Sequence, residues 1–347
     1  MKLLKDLDVK DKRVFLRVDL DVPLDGLDHI HQKLDNDTAT RLTNIKDTVD
    51  YLFREGAKQI VIAGHIDRPT SRLLGGKPVI DATKSTKLLL SVLSNILKKG
   101  IFFKENLEGD IHGELVLLEN LRFWEGETVN DEKFAKILAG FADVYVNESF
   151  GNSHREHASM AALPAILPHA AGLHLEEEVR VMTNLLETPA RPFVSIVGGA
   201  KIETKIPVIE NLSKISHQVL VGGELPIEIA KNGKKFAENV LVAKLTDDKK
   251  DIDLESAHQF TRFISAARTV VWNGPMGLFE EGHEIGSKAV AGAILDSRAY
   301  SVVGGGETTQ FLEKHNLLSQ FSFVSAGGGA MLEFLSGKKL PGILALE

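Results

Sequence analysis

The chain has 347 residues, of which 43% are hydrophobic and 26% charged, a formal net charge of −7 and no cysteine. That length favours two domains over one core, in an ordinary folded globular protein. The absent cysteines exclude disulfides, thiolate metal sites and a cysteine nucleophile, and the acidic balance argues against general nucleic-acid binding, which needs a basic face.

The opening, MKLLKDLDVKDKR, is charged throughout and lacks an apolar core of signal-peptide length, so export is not expected. No apolar run approaches the ~20 residues that span a bilayer, and a cytoplasmic location is the expectation. Arg13–Val18 (RVFLRV) reads as a buried strand, and residues 40–55 as a helix that ends at Gly56. Gln59–Ala63 (QIVIA) is a second strand, followed by an amphipathic helix over 86–99 stopped by Gly100. Then come Leu115–Leu118 (LVLL), a helix over 131–139 and a strand over 144–146. Strands alternating with helices of this length predict βαβ units and parallel sheets, an α/β fold. Residues 172–187 carry a helical pattern with a charged face, closed by Pro189 and Pro192, which suits a connecting helix. The expected division is 1–171, a connecting helix over 172–188, 189–332, and a C-terminal segment 333–347.

In the second half, four β-rich apolar runs meet paired or tripled glycines, at Gly198-Gly199, Gly222-Gly223, Gly304-Gly305-Gly306 and Gly327-Gly328-Gly329, and a fifth ends in Asn273-Gly274. Glycines there let the backbone turn tightly and a ligand come close, and a following helix offers its free N–H groups to phosphate. A series of such turns along one sheet edge points to a nucleotide or polyphosphate. In VGGAKIETK, Lys201 and Lys205 stand one helical turn apart, so both ammonium groups can reach one anion, although a tight turn with two solvated lysines has the same pattern. Glu307, after the triple glycine, can hold Mg²⁺, an oxygen-seeking cation, or simply favour a helix N-terminus with Thr308. Neither a Walker A loop nor GxGxxG is present, so a dinucleotide dehydrogenase is a poor reading.

In the first half the basic residues carry more. Arg17, Arg41, His65, Arg68, Arg122, Arg155 and His157 fall beside or just after strand ends, with the acids Asp19 and Asp21. Any one of them is more often a surface residue; together they suggest a pocket for a small anion. His29, His31, His217 and His283 lack ligand spacing, Glu176–Glu178 reads as a solvated helix face, and Trp272 as core.

These segments resemble the phosphoglycerate kinase family nearly end to end. RVDLDVP (17–23), GHIDRP (64–69), LLENLRF (117–123), YVNESFGNSHREHAS (145–159), VGGAKIETKI (197–206), VVWNGPMGLFE (270–280), VVGGGETT (302–309) and SAGGGAMLEFLSGKKLPG (325–342) follow in the family's order. The resemblance implies two Rossmann-like parallel-sheet lobes, the first for 3-phosphoglycerate and the second for Mg-ADP or Mg-ATP, in a monomer whose C-terminal segment returns to the first lobe. It puts Asp19, Asp21, Arg41, His65, Arg68, Arg122 and Arg155 on substrate positions. Lys201, Lys205, Asn273, Glu280, Gly305, Gly306, Glu307 and Thr308 fall on nucleotide positions, with Glu307 on Mg²⁺. Arg41, Lys201, Gly305 and Gly328 are implied to stabilise the transferring phosphoryl group. Four departures stand out: Asp21 for Asn, Asp67 for Gly, Glu307 for Asp, and Gly222-Gly223-Glu224-Leu225-Pro226 where the family has GGGMAxTF. The stretch from there to Trp272 is short and has no DIGPKT-like string, so a family-like binding protein without efficient catalysis is the alternative expectation.

Overall fold

The computed structural model describes residues 1–24, 41–69, 73–74 and 77–347; His29, His31 and the expected helix start at 40 lie outside them. The chain divides into two compact units, Met1–Val179 with Leu340–Glu347, and Arg180–Lys339.

The first unit holds six parallel strands, β1 (Arg13–Val18), β2 (Gln59–Ala63), β5 (Phe102–Lys104), β6 (Leu115–Leu118), β7 (Val144–Glu148) and β8 (His169–Ala171). A small antiparallel pair, β3 (Leu73–Leu74) with β4 (Lys77–Pro78), lies outside that sheet. The sheet order is β5-β6-β2-β1-β7-β8. Alternate residues of the inner strands, Val14, Leu16, Val18, Ile60, Ile62, Leu115, Leu117, Val144 and Val146, pack into one core with Val49, Leu52 and Leu93 of the helices. The other face is also buried, which explains why these strands read as continuous apolar runs.

The second unit repeats the plan with β9 (Phe193–Val197), β10 (Gln218–Val221), β11 (Val240–Val242), β12 (Thr269–Asn273), β13 (Tyr300–Gly304) and β14 (Phe323–Ser325). Their order is β11-β10-β9-β12-β13-β14, all parallel. In each sheet the winding reverses once, between β1 and β7 and between β9 and β12. Ligands of open α/β sheets bind in the crevice that such a reversal opens at the carboxyl ends of the strands. Every glycine-ended run of the second half therefore lies along one sheet edge.

The helix Leu173–Glu187 crosses the boundary between the units in sequence. Its start is set by Glu148 at the end of β7, whose buried carboxylate accepts from the N–H groups of His174 and Leu175 at 3.0 and 3.2 Å. The Thr48 hydroxyl donates to the same carboxylate at 2.6 Å and accepts from Leu173 N–H at 3.0 Å. The expected solvated face is corrected here: Glu178 is fully buried, with one oxygen 3.4 Å from His174 Nε2. A carboxylate with a partner one turn away can be buried where a lone one cannot. Leu340–Glu347 joins the first unit, where Gly342 N–H donates to Ser153 O and Lys2 N–H to Leu346 O, both at 2.8 Å. Residues 333–339, expected in that returning segment, pack with the second unit, because the helix Gly328–Leu335 runs through the expected boundary. Among the described residues, no helix is long and apolar enough to cross a membrane.

Candidate functional site

In the first unit the basic residues converge at the carboxyl ends of β1, β2 and β7. Arg17 is the last but one residue of β1 and faces away from the Leu16 core, on the side of Tyr145 and Asn147. It is fully buried. Its Nε donates to Ser159 Oγ at 2.9 Å, one Nη donates to Val18 O, and the other lies 2.9 Å from His65 Nδ1. Arg122, mostly buried after β6, donates to Asp67 O at 2.6 Å. Arg41 reaches Asp21 O at 3.3 Å and stands 3.7 Å from Asp19 Oδ2. Arg68 is exposed and Arg155 half-buried, both close enough to Arg122 to repel its charge.

These cations define the electrostatics. Burial first, then Arg17, Arg122, His157 and Arg155, hold His65 well below its ordinary pKa. Burial and the same guanidinium groups push His157 down to about 3. Both histidines are therefore neutral at pH 7, and the positive charge belongs to the arginines. The two acids are tied into the loops: Asp19 accepts from Asp21 N–H at 3.1 Å, and Asp21 from Asp67 N–H at 2.7 Å. Asp67 pairs its carboxylate with Lys84 at 2.8 Å. Its φ of 52° explains the glycine of the family pattern, since Asp is among the few side chains that tolerate that region.

In the second unit the glycine turns pack on one another across the β9/β12 reversal. Gly198 N–H donates to Asn273 O at 2.9 Å and Gly199 N–H to Pro275 O at 2.8 Å. A Cβ on Gly328 would stand 3.1 Å from Gly305 Cα, so the turns after β13 and β14 also touch. The helices Ile202–Ser213, Gly306–Lys314 and Gly328–Leu335 all start at this edge and aim their free N–H groups at it. Lys205 is almost wholly buried, with its ammonium on the Asn273 side chain and 3.4 Å from Asn273 O. Lys201 is exposed at the start of its helix, with φ 62°. Thr308 is buried and accepts from Gly274 N–H at 2.7 Å, supporting the turn from beneath.

A cavity of about 270 Å³ opens here, lined among others by Gly199, Gly223, Glu224, Pro275, Glu280 and Glu307. Gly306 begins its helix beside it. The Glu307 carboxylate leans over the β9 turn, where a Cβ on Gly199 would meet its Oε2 at 2.9 Å. The acid thus reaches from the end of β13 past β12 to the end of β9. Lys249 and Lys250 also line the cavity, on the tight loop between β11 and the helix Leu254–Ser265. Neither was singled out from the sequence, although the adjacent lysines in a shortened loop are a usable signal. Lys250 is held by Glu281 at 2.5 Å.

Burial pushes Lys205 down to about 8, with Glu307 opposing and Lys201 reinforcing the shift. The unfolded chain keeps this proton to its ordinary value of 10.5. Between about pH 8 and 10.5 the unfolded state therefore holds the extra proton, and this group's contribution to stability rises with pH. Anion binding has the opposite trend, because the ammonium is lost. Near pH 8.5, binding of a polyphosphate here should take up a proton, seen as a buffer-dependent heat in calorimetry, and Lys205→Met should abolish the uptake. A heat independent of buffer ionisation would contradict this.

A family model described as Phosphoglycerate kinase matches residues 4–239 and 225–338. The chain is 34% identical over 401 aligned positions to the phosphoglycerate kinase of Desulfosudis oleivorans, covering 100% of this chain and 99% of that protein. Its fold matches the structure of phosphoglycerate kinase from Coxiella burnetii with a TM-score of 0.81 and 30% identity, over 100% of this chain and 99% of that one. It matches the crystal structure of phosphoglycerate kinase from Pyrococcus horikoshii OT3 with a TM-score of 0.80 and 27% identity, over 100% and 98%. The alignment of 401 positions exceeds the 347 residues, so about 54 positions have no residue here. The two family matches overlap at 225–239, within the stretch between Gly222 and Trp272.

Proposed function

The chain belongs to the phosphoglycerate kinase family, a family of phosphotransferases, and from that premise we propose the reaction and its parts. The proposed reaction is reversible, Mg²⁺-dependent transfer of a phosphoryl group from the carboxyl phosphate of 1,3-bisphosphoglycerate to ADP, giving 3-phosphoglycerate and ATP. The observation that carries it is the set of glycine turns and helix N-termini at the β9/β12 edge with Lys205 buried beneath them, a ready-made polyphosphate site.

Phosphoryl transfer asks the protein for positioning and charge stabilisation more than for covalent chemistry. The arginine set of the first unit, with Asp19, Asp21 and His65, would bind the glycerate phosphate, and its excess positive charge supports that role. In the second unit, Lys205 is pre-oriented by Asn273 and would hold nucleotide phosphates, and Glu280 would accept from the ribose hydroxyls. Lys201 would meet the transferring group, and the N–H groups around Gly305, Gly306 and Gly328 would take up charge developing on its oxygens. The exposed carboxylate of Glu307, which shares the cavity wall with Glu224 and Glu280, would hold Mg²⁺, which prefers one or two carboxylates plus substrate phosphates. When bound, the ion neutralises charge on the phosphate oxygens.

A coupled assay with Mg²⁺ tests the reading. Absence of turnover from pure, folded protein with every common nucleoside diphosphate would sink it and leave a binding protein of the same family. Arg122→Ala should raise the KM for 3-phosphoglycerate by about 10- to 100-fold, the worth of a lost charge-assisted contact, while the affinity for Mg-ADP stays unchanged. An unchanged KM would remove Arg122 from the substrate site.

A further inference from the structure

We infer that Glu127, acting through Ser159, is a positioning residue of the first unit's anion site: it holds the Arg17 guanidinium and, through it, the tautomer of His65. The inference rests on the proposed assignment of that site to the phosphorylated substrate.

Arg17, Ser159 and Glu127 are each fully buried. Glu127 Oε1 accepts from the Ser159 hydroxyl at 2.6 Å, and Oε2 accepts from Ser159 N–H at 3.0 Å. The hydroxyl has one proton, so with that proton on Glu127 its lone pairs face Arg17 Nε, which donates at 2.9 Å. A guanidinium can only donate, so the His65 Nδ1 that lies 2.9 Å from Arg17 Nη2 must accept. The ring proton is thereby assigned to Nε2. That atom is buried without a hydrogen-bond partner, 3.9 Å from Asp21 Oδ2. It is a donor held ready for an anionic oxygen.

The charges require the same chain. A buried guanidinium is costly unless a negative group offsets it. Burial raises the Glu127 pKa, and Arg17 is the largest influence holding it down. One serine links the Glu127 carboxyl to the Arg17 guanidinium. The short helix Glu125–Thr128 resembles an ordinary solvated acidic run in sequence, which is why Glu127 carries no local signal.

The test uses the full chain labelled at histidine, with Ser159→Ala and Glu127→Gln as variants. In the unliganded wild type, nitrogen chemical shifts should show His65 as the single Nε2–H tautomer. In both variants the two ring-nitrogen shifts should move toward each other as the tautomers mix. The KM for 3-phosphoglycerate should rise about tenfold with a smaller change in kcat, and Mg-ADP affinity should not move. Should Glu127→Gln fail to fold, the small change in Ser159→Ala decides the matter. A folded Ser159→Ala protein that keeps one tautomer, or that mixes tautomers with KM unchanged, overturns the inference. Absence of turnover in the wild type would instead refute the proposed function, while the tautomer measurement still reads the relay directly.

Discussion

Lys201→Ala should leave the protein folded and lower kcat by about 10²- to 10³-fold, the usual cost of removing one pre-organised group from a charged transition state. The side chain is exposed, so little packing is lost, and stability should change by no more than about 0.5 kcal/mol. The backbone supports the assignment: Lys201 sits at φ 62°, a region that costs a long side chain about 1–3 kcal/mol and is tolerated where function requires it. It stands between the β9 turn and the buried Lys205, whose pKa it lowers. A second consequence follows from that coupling. Removing Lys201 should raise the pKa of Lys205, moving the proton uptake on nucleotide binding to higher pH. Steady-state kinetics and calorimetry on the same protein check both. A kcat within about threefold of wild type would remove Lys201 from the chemistry.

Gly274→Ala should damage the second unit far more than its single methyl suggests. Gly274 has φ 97°, and a Cβ there would stand 2.8 Å from the Gly199 nitrogen and nearer still to the Gly198 carbonyl. These are backbone atoms of the adjoining strand end, fixed by the Gly198–Asn273 and Gly199–Pro275 hydrogen bonds, so neither can yield. Strain and overpacking together predict a loss of about 3 kcal/mol or more in denaturant unfolding of this unit. Mg-ADP affinity should fall at least tenfold as the two turns separate. Binding of 3-phosphoglycerate, assigned to the other unit, should persist. Gly292→Ala is the control: it lies within the helix Ile285–Ser297, nothing stands within 4 Å of its Cβ, and it should be neutral or stabilising by up to about 1 kcal/mol. Equal stability of Gly274→Ala and wild type would show that the close approach of β9 and β12 is not needed.

Much of the architecture was legible in the sequence. The strands Arg13–Val18, Gln59–Ala63 and Leu115–Leu118 have the bounds their apolar runs suggest. The short edge strands β5, β8 and β11 were missed, because three residues are too few to show a period, even where, as in Val240–Val242, all are apolar. The helix expected over 86–99 is a 3₁₀ turn, Thr86–Leu89, running into Leu90–Leu97, and it ends at Lys98 in the left-handed region rather than at Gly100. Trp272 is core, as its apolar strand suggests. The stretch before Trp272 still supplies β10 and β11 to the six-stranded sheet.

The sequence by itself determined the alternation of inner strands with helices, the phosphate-suited glycine turns and the family, since periodicity, turn chemistry and motif order are all written within short stretches of chain. Only the tertiary structure decided which of those residues act together and in what charge state. Arg17 looked like one more surface arginine, yet it is buried and bonded to a serine 142 residues away. Lys205 looked like the twin of Lys201, yet burial separates their ionisation. The physical reason is the same in both cases. The energy of a charge depends on the solvent it loses and the partners it gains, and in a parallel α/β sheet those partners come from strand ends far apart in sequence.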